Sequence, residues 1–231
     1  MSETILITGS NRGIGLELAK QYAESGWRVL ACCRSPDNAG KLSDLADQYN
    51  KLSIHKLDVT DSGQIQSLVN ELQDQPLDIL FNNAGVYGPY DAGFENVNET
   101  EWLECLRVNT IAPMLIIQAF VENVAMSERK LIATMSSKMG SMTDNGSGGS
   151  YVYRSSKAAL NAVMKSASID LRPRGIKVAI LHPGWVLTDM GGPNAEINVN
   201  ECVNNLRTNI NNVNLENTGS FLEIDGSVIP W

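Results

Sequence analysis

The chain has 231 residues, of which 43% are hydrophobic and 19% charged, with a formal net charge of -8 and a pI near 4.8. That is ordinary globular composition, and its acidity makes nucleic acid and anionic lipid surfaces poor partners. The cysteines Cys32, Cys33, Cys105 and Cys202 show no Cys-x-x-Cys spacing, which speaks against a metal site and against a disulfide framework.

The N-terminus shows no basic segment followed by a long apolar stretch, and no run approaches ~18 apolar residues, so neither a signal peptide nor a membrane span is expected. A reducing cytoplasm is the expected location. Ile5-Leu6-Ile7 predicts a first strand. Thr8-Gly9-Ser10-Asn11-Arg12-Gly13-Ile14-Gly15 then turns into a helix over 16–25, stopped by Gly26. Glycines here allow close backbone approach, so amides at the helix N-terminus can face a pyrophosphate. The spacing is G-x-x-x-G-x-G, not G-x-G-x-x-G. Glycines alone also fit a plain turn, and their place directly after the first strand is what favours the phosphate reading.

Residues 28–32 form a second strand. It ends Ala31-Cys32-Cys33-Arg34, without the acid that binds a ribose 2′-hydroxyl in NAD proteins. Arg34 and Arg12 suit a 2′-phosphate instead, although Arg34 also fits a solvated loop charge. NADP is the expected cofactor, with NAD less favoured. A helix over 38–50 and a strand over 52–57 follow. Asp58 then offers a carboxylate to an adenine amino group, with Val59 beside it, while Thr60 or Asp61 better caps the helix over 62–73.

Residues 77–81 form a fourth strand, ending in the polar turn Asn82-Asn83-Ala84-Gly85. A long helical region over 100–126 carries Asn109 in its interior, where propensity disfavours it, and Pro113 is expected to kink it. A fifth strand over 130–135 ends in Ser136-Ser137-Lys138-Met139-Gly140. A helix over 153–171, a sixth strand over 176–181 and a last strand over 221–224 complete the pattern. Two loops stand out, 140–150 and 191–218. The second is long enough to hold a helix near 199–210. Repeated β-α-β units predict an α/β fold: one Rossmann-type, doubly wound parallel sheet with helices on both faces. No linker or repeat divides residues 1–231.

Tyr153 and Lys157 lie four apart at a helix start, so they share a face. A neighbouring ammonium favours phenolate over the ordinary phenol pKa near 10, making Tyr153 a candidate proton donor and acceptor. Tyr151 has no such partner, since its fourth neighbour is Ser155. Ser137, after the fifth strand, offers a hydroxyl to a substrate oxygen, although a serine at a strand end is more often a turn former. The choice of Ser137 over Ser136 rests on Gly140 lying three residues beyond it.

Together these segments, with His182-Pro183-Gly184, resemble the short-chain dehydrogenase/reductase family in order and placement, over residues 4–190. Within it, Asn11-Arg12-Gly13-Ile14-Gly15 and His182-Pro183-Gly184-Trp185-Val186-Leu187-Thr188-Asp189-Met190 are similar to the branch of sniffer-type carbonyl reductases and bacterial C-factor proteins, as is the segment 221–231. The resemblance implies roles. Tyr153 is the general acid/base, and Lys157 lowers its pKa and binds the nicotinamide ribose. Ser137 orients the carbonyl, and Asn109 holds a relay water. Asn83, Ala84 and Gly85 line the adenosine-side ribose and support the sheet. Thr188 and the Val186 backbone hold the carboxamide, in the turn that contains Pro183 and Gly184. The expected partners are a small carbonyl or alcohol substrate and further copies of the chain, as homodimer or homotetramer, through the long helices.

One departure is the 16-residue separation of Ser137 and Tyr153, longer than in many members. The extra length fits the 143–150 loop, where it costs little. Residues 86–94, 141–151 and 191–215 are the expected pocket walls. Trp185 and Tyr151 suggest an apolar or aromatic carbonyl, unless they are core. A second reading is a nucleotide-binding signalling or sensor protein on the same fold. A third, a dehydratase or epimerase of the extended relatives, lacks room for the larger C-terminal domain.

Overall fold

Ile5, Leu6 and Ile7 expose no surface at all, because both faces of their strand are covered. The computed structural model of the chain describes residues 2–90 and 93–231. Seven strands form one sheet: β1 Thr4–Thr8, β2 Arg28–Cys33, β3 Leu52–Lys56, β4 Ile79–Asn82, β5 Leu131–Met135, β6 Lys177–Leu181 and β7 Phe221–Leu222. Their spatial order is β3-β2-β1-β4-β5-β6-β7, and every pairing is parallel. The order reverses direction between β1 and β4, the position where open α/β sheets bind ligands beyond the strand ends.

The helices are α1 Gly13–Glu24, α2 Gly40–Gln48, α3 Ser62–Glu71, α4 Glu99–Leu106, α5 Ala112–Ala125, α6 Tyr151–Leu171 and α7 Val199–Asn212. Side chains alternate across each strand. Ile5 and Ile7 therefore join one core with Leu18 of α1, Leu42 of α2 and Leu206 of α7. Leu6 joins the opposite core with Ile65 of α3, Phe120 of α5 and Leu160 of α6.

Departures from the sequence reading are local. The helix expected over 38–50 begins as a 3-10 turn at Pro36–Asn38, and α2 starts only at Gly40. β7 is two residues long. α6 begins at Tyr151, after Ser150 with φ 47°. Pro113 does not break its helix. A π-helical turn, Arg107–Ile111, joins α4 to α5 without interruption. The run Glu99–Ala125 reaches a mean hydropathy of 1.3 over 18 residues, enough on length and composition to cross a membrane, yet half of that window is buried inside the protein. No unbroken apolar run marks this helix in the sequence. All four cysteines are buried and unpaired. Burial pushes their thiols up, Cys202 to about 12.

Candidate active site

The C-terminal ends of β1, β4, β5 and β6 bring the motif residues to one edge of the sheet. At β1 the chain turns through Gly9 and Gly13, with φ of 70° and 53°, a region that favours glycine. A β-carbon on Gly15 would stand 2.2 Å from the Gly9 carbonyl oxygen and 2.5 Å from Asn83 Nδ2. The turn and α1 therefore pack against each other with no room for a side chain. Thr8 Oγ1 accepts from the backbone N–H groups of Asn83 (3.0 Å) and Ala84 (3.1 Å), and Asn83 Nδ2 donates to the carbonyls of Thr8 (2.9 Å) and Gly9 (3.1 Å). Asn83 Nδ2 thus braces the glycine turn.

α3, α4 and α7 are capped by Asp61, Asn98 and Asn198, whereas α1 has no capping side chain and no acid in its first turn. Its amides suit an anion. Asn11 and Arg12 are exposed on this turn, and Ile14 packs against the core. Arg12 forms an ion pair with Asp189 at 2.9 Å, both largely exposed. The expected 2′-phosphate partner therefore already holds a carboxylate. Arg34 is exposed at the end of β2, close enough to influence Asp58. Burial acts to raise the Asp58 carboxyl, but hydrogen bonds from Thr60 (2.9 and 2.7 Å), together with Arg34, hold it below its ordinary value. Val59 packs on the adjoining core, and Asp61, one of the two residues expected to do so, caps α3.

Thr188 faces the glycine turn, its Cγ2 lying 3.4 Å from where a Gly13 β-carbon would stand. Thr188 Oγ1 accepts from Gly191 N–H at 3.1 Å and donates to the Val186 carbonyl at 3.3 Å. Pro183 and Gly184 (φ 79°) form the turn after β6.

Tyr153 and Lys157 lie on the first two turns of α6, exposed by only 8% and 4%. Ser137 lies close enough to the Tyr153 phenol to act on it, and its Oγ accepts from Met139 N–H at 3.2 Å. Ser136 points instead to Asn161, donating to Oδ1 at 2.5 Å. The two serines thus have separate partners. Lys157 Nζ donates to the Met135 carbonyl at 2.9 Å and stands 5.7 Å from the centre of the Tyr153 ring. Burial raises the Tyr153 phenol above its ordinary value, with Ser137 acting the other way, while the Lys157 ammonium is bonded to the Met135 carbonyl. Burial also lowers Lys157 to about 8.

Asn109 is fully buried in the π turn. Its Oδ1 accepts from Val86 N–H at 2.9 Å, and its Nδ2, with two protons to give, lies 2.8 Å from the Val86 carbonyl, 3.0 Å from Ser156 Oγ and 3.3 Å from Cys105 Sγ. Pro113, four residues on, has no N–H to give the Asn109 carbonyl an α-helical bond. Gly85 lies beside both groups: a β-carbon there would be 3.2 Å from Asn109 Oδ1 and 3.6 Å from Lys157 Nζ.

Sequence reasoning missed Tyr87. Its ring stacks on Tyr153 at 4.5 Å and on Tyr90 at 4.8 Å, and its hydroxyl pairs with Ser150 Oγ at 3.0 Å. Only its place in the expected wall over 86–94 hinted at it, and residues 91 and 92 of that wall lie outside the described residues. Tyr151 and Trp185 are not core, being 38% and 49% exposed.

The cradle fits a dinucleotide. The uncapped α1 N-terminus suits a pyrophosphate, and the enclosed Lys157 ammonium, bonded to a neutral carbonyl, suits ribose oxygens. Comparison with known proteins agrees. Residues 3–198 match the family model described as short chain dehydrogenase. The chain is 38% identical to C-signal of Myxococcus xanthus over 156 residues, covering 68% of this chain and 93% of that protein. Among solved structures it resembles the carbonyl reductase Sniffer of D. melanogaster, with TM-score 0.94 and 35% identity over all of both chains. It also resembles an NADPH-bound carbonyl reductase from chicken fatty liver, with TM-score 0.93 and 33% identity over 100% of this chain and 99% of that one. The chain belongs to the short-chain dehydrogenase/reductase family and is an NAD(P)-dependent oxidoreductase.

Proposed function

We propose that the protein reduces a small carbonyl compound to its alcohol, or runs the reverse, with NADPH as the preferred cofactor and Tyr153 as general acid/base. The observation that carries the reading is the meeting of the buried Tyr153 and Lys157 of α6 with Ser137, at the sheet edge shared with the glycine turn. When bound, the nicotinamide supplies the hydride. Ser137 and Tyr153 receive the substrate oxygen, and Tyr153 gives it a proton on reduction. Lys157 holds the nicotinamide ribose and supplies positive charge behind the phenol. Gly9 through Gly15 bind the pyrophosphate, Arg34 and Arg12 the 2′-phosphate, Asp58 and Val59 the adenine side, and Thr188 and the Val186 backbone the carboxamide. Asn109 offers its carbonyl to a relay water. The exposed aromatic and apolar wall of Tyr90, Phe94, Tyr151 and Trp185 favours an apolar or aromatic carbonyl, with 191–218 as the substrate loop.

NADP is named for the solved neighbours from chicken liver, Burkholderia multivorans and Pseudomonas aeruginosa, and two arginines with no acid at the end of β2 favour it here. The test is a panel of carbonyl substrates followed at the NADPH absorbance and repeated with NADH. NADPH turnover should exceed NADH turnover, and Tyr153→Phe should lose about 10²- to 10⁴-fold in rate while still binding NADPH. Full turnover by Tyr153→Phe sinks the mechanism. The likeness to C-signal supports one alternative, a nucleotide-binding signalling protein with little turnover. It gains if biological activity survives in that same variant.

A further inference from the structure

Two turns flank the catalytic face: the one at the end of β5 that carries Ser137, and the one at the end of β6 that carries His182, Pro183 and Gly184. Both touch one side chain, Glu223, which directly follows β7. Its Oε2 lies 3.4 Å from Lys138 Nζ, and its Oε1 lies 3.6 Å from His182 Nε2. Lys138 is the neighbour of Ser137, and His182 is the neighbour of Pro183. Lys138 also faces Asp144 at 3.8 Å.

Glu223 is 20% exposed and His182 15%, so water screens the cluster only in part. The groups facing His182 are Glu223, Lys138 and Asp144, and burial keeps the imidazole below its ordinary pKa. The Lys138 contact pairs a basic with an acidic side chain, and the His182 contact sets the buried ring against the same acid.

Glu223 is itself fixed. Its Oε1 accepts from Ile224 N–H at 3.0 Å, its backbone N–H donates to the Ser227 carbonyl at 2.8 Å, and its carbonyl accepts from Asn209 Nδ2 of α7 at 2.9 Å. The same segment grips the Ser137 turn at a second point, where Ser141 Oγ donates to the Pro230 carbonyl at 2.6 Å. The Trp231 ring stacks on Phe221 at 5.8 Å, holding the strap against the sheet. Residues 221–231 thus fasten 138–144 from two sides, and one carboxylate of that strap also reaches the β6 turn.

We propose that Glu223 is a positioning residue for hydride transfer, holding the Ser137 turn against the His182-Pro183-Gly184 turn so that the substrate oxygen and the nicotinamide are presented in register. This rests on the carbonyl-reductase reading of the same site. Misplacement by about 1 Å can cost about a hundredfold in rate without any loss of a reacting group.

The test compares wild type with Glu223→Gln, Lys138→Met and the double variant. Steady-state kinetics are run on a carbonyl substrate at saturating NADPH, with NADPH affinity measured by fluorescence titration. Glu223→Gln should lower kcat by about tenfold or more, with NADPH affinity within about twofold of wild type. Lys138→Met should do the same to a smaller degree. Residues that act through one contact are non-additive, so the double variant should lose no more than the worse single one. Unchanged kcat in Glu223→Gln, a loss confined to NADPH affinity, or multiplying losses in the double variant each overturn the proposal. Lys138 is half-exposed, so its variant carries the test if Glu223→Gln does not fold, and unchanged kcat there is equally fatal. A wild type that turns over no carbonyl removes the reductase reading and this inference with it. A wild type that turns over normally beside an unimpaired Glu223→Gln removes the inference alone.

Discussion

Lys157 Nζ lies 2.9 Å from the Met135 carbonyl, enclosed among neutral neighbours. Burial lowers its pKa to about 8, so the ammonium persists below that pH and is lost above it. For carbonyl reduction, kcat/KM should be level toward neutral pH and fall above about 8. Stability runs the other way. Unfolded lysine, near 10.4, keeps its proton to higher pH than folded Lys157, so this group's contribution to folding improves as pH rises from about 8 to about 10. Lys157→Met should abolish that rise in denaturation midpoint and, at pH 7, melt no lower than wild type while turning over far more slowly. A parallel pH–stability curve in the variant contradicts the assignment.

Gly15→Ala places a carbon 2.2 Å from the Gly9 carbonyl oxygen. Overpacking of this kind costs about 1–3 kcal/mol, and the turn must shift to relieve it. Thermal melting should drop by several degrees and NADPH affinity should fall in the same variant. Wild-type NADPH binding by Gly15→Ala is the contrary result.

Asp189 competes with any anion for Arg12. An exposed ion pair is worth about 0–1 kcal/mol, so Asp189→Asn should tighten NADPH binding by up to about fivefold, less so at high salt. Arg34→Ala should weaken NADPH by about tenfold or more while leaving NADH nearly unchanged. Fluorescence titrations with both nucleotides decide this, and equal losses for NADPH and NADH remove the role given to Arg34.

Tyr87→Ala removes a ring pair worth about 0.5–1.5 kcal/mol and lets water reach Tyr153. Burial is the main reason the Tyr153 phenol stands above its ordinary value, so exposure brings it down. Alcohol oxidation needs the phenolate, so its alkaline limb should move to lower pH in the variant. An unmoved limb shows that Tyr87 does not govern the phenol.

The strands were readable because a parallel sheet buried on both faces writes itself as short apolar runs such as Ile5-Leu6-Ile7 and Leu131-Ile132-Ala133. Tyr153, Lys157 and the glycine turn were readable because their spacing within one element carries the chemistry. The engagement of Asn83 with the glycine turn was not, since it depends on two strand ends 75 residues apart lying side by side. Tyr87 and Glu223 stayed hidden for the same reason: nothing near them in sequence records which turn each will meet. The Arg107–Ile111 π turn was half visible, as Pro113 marked the place but not the form of the irregularity.

Four thiols locked inside the sheet and its helices, all driven toward the protonated form, give this protein a built-in reporter of its own opening. Alkylating reagents attack thiolate that solvent can reach, so Cys32 between the sheet and α3 and Cys202 on the buried face of α7 should react only as fast as each side of the molecule breathes. Labelling kinetics with and without nucleotide would then map which face the ligand quiets.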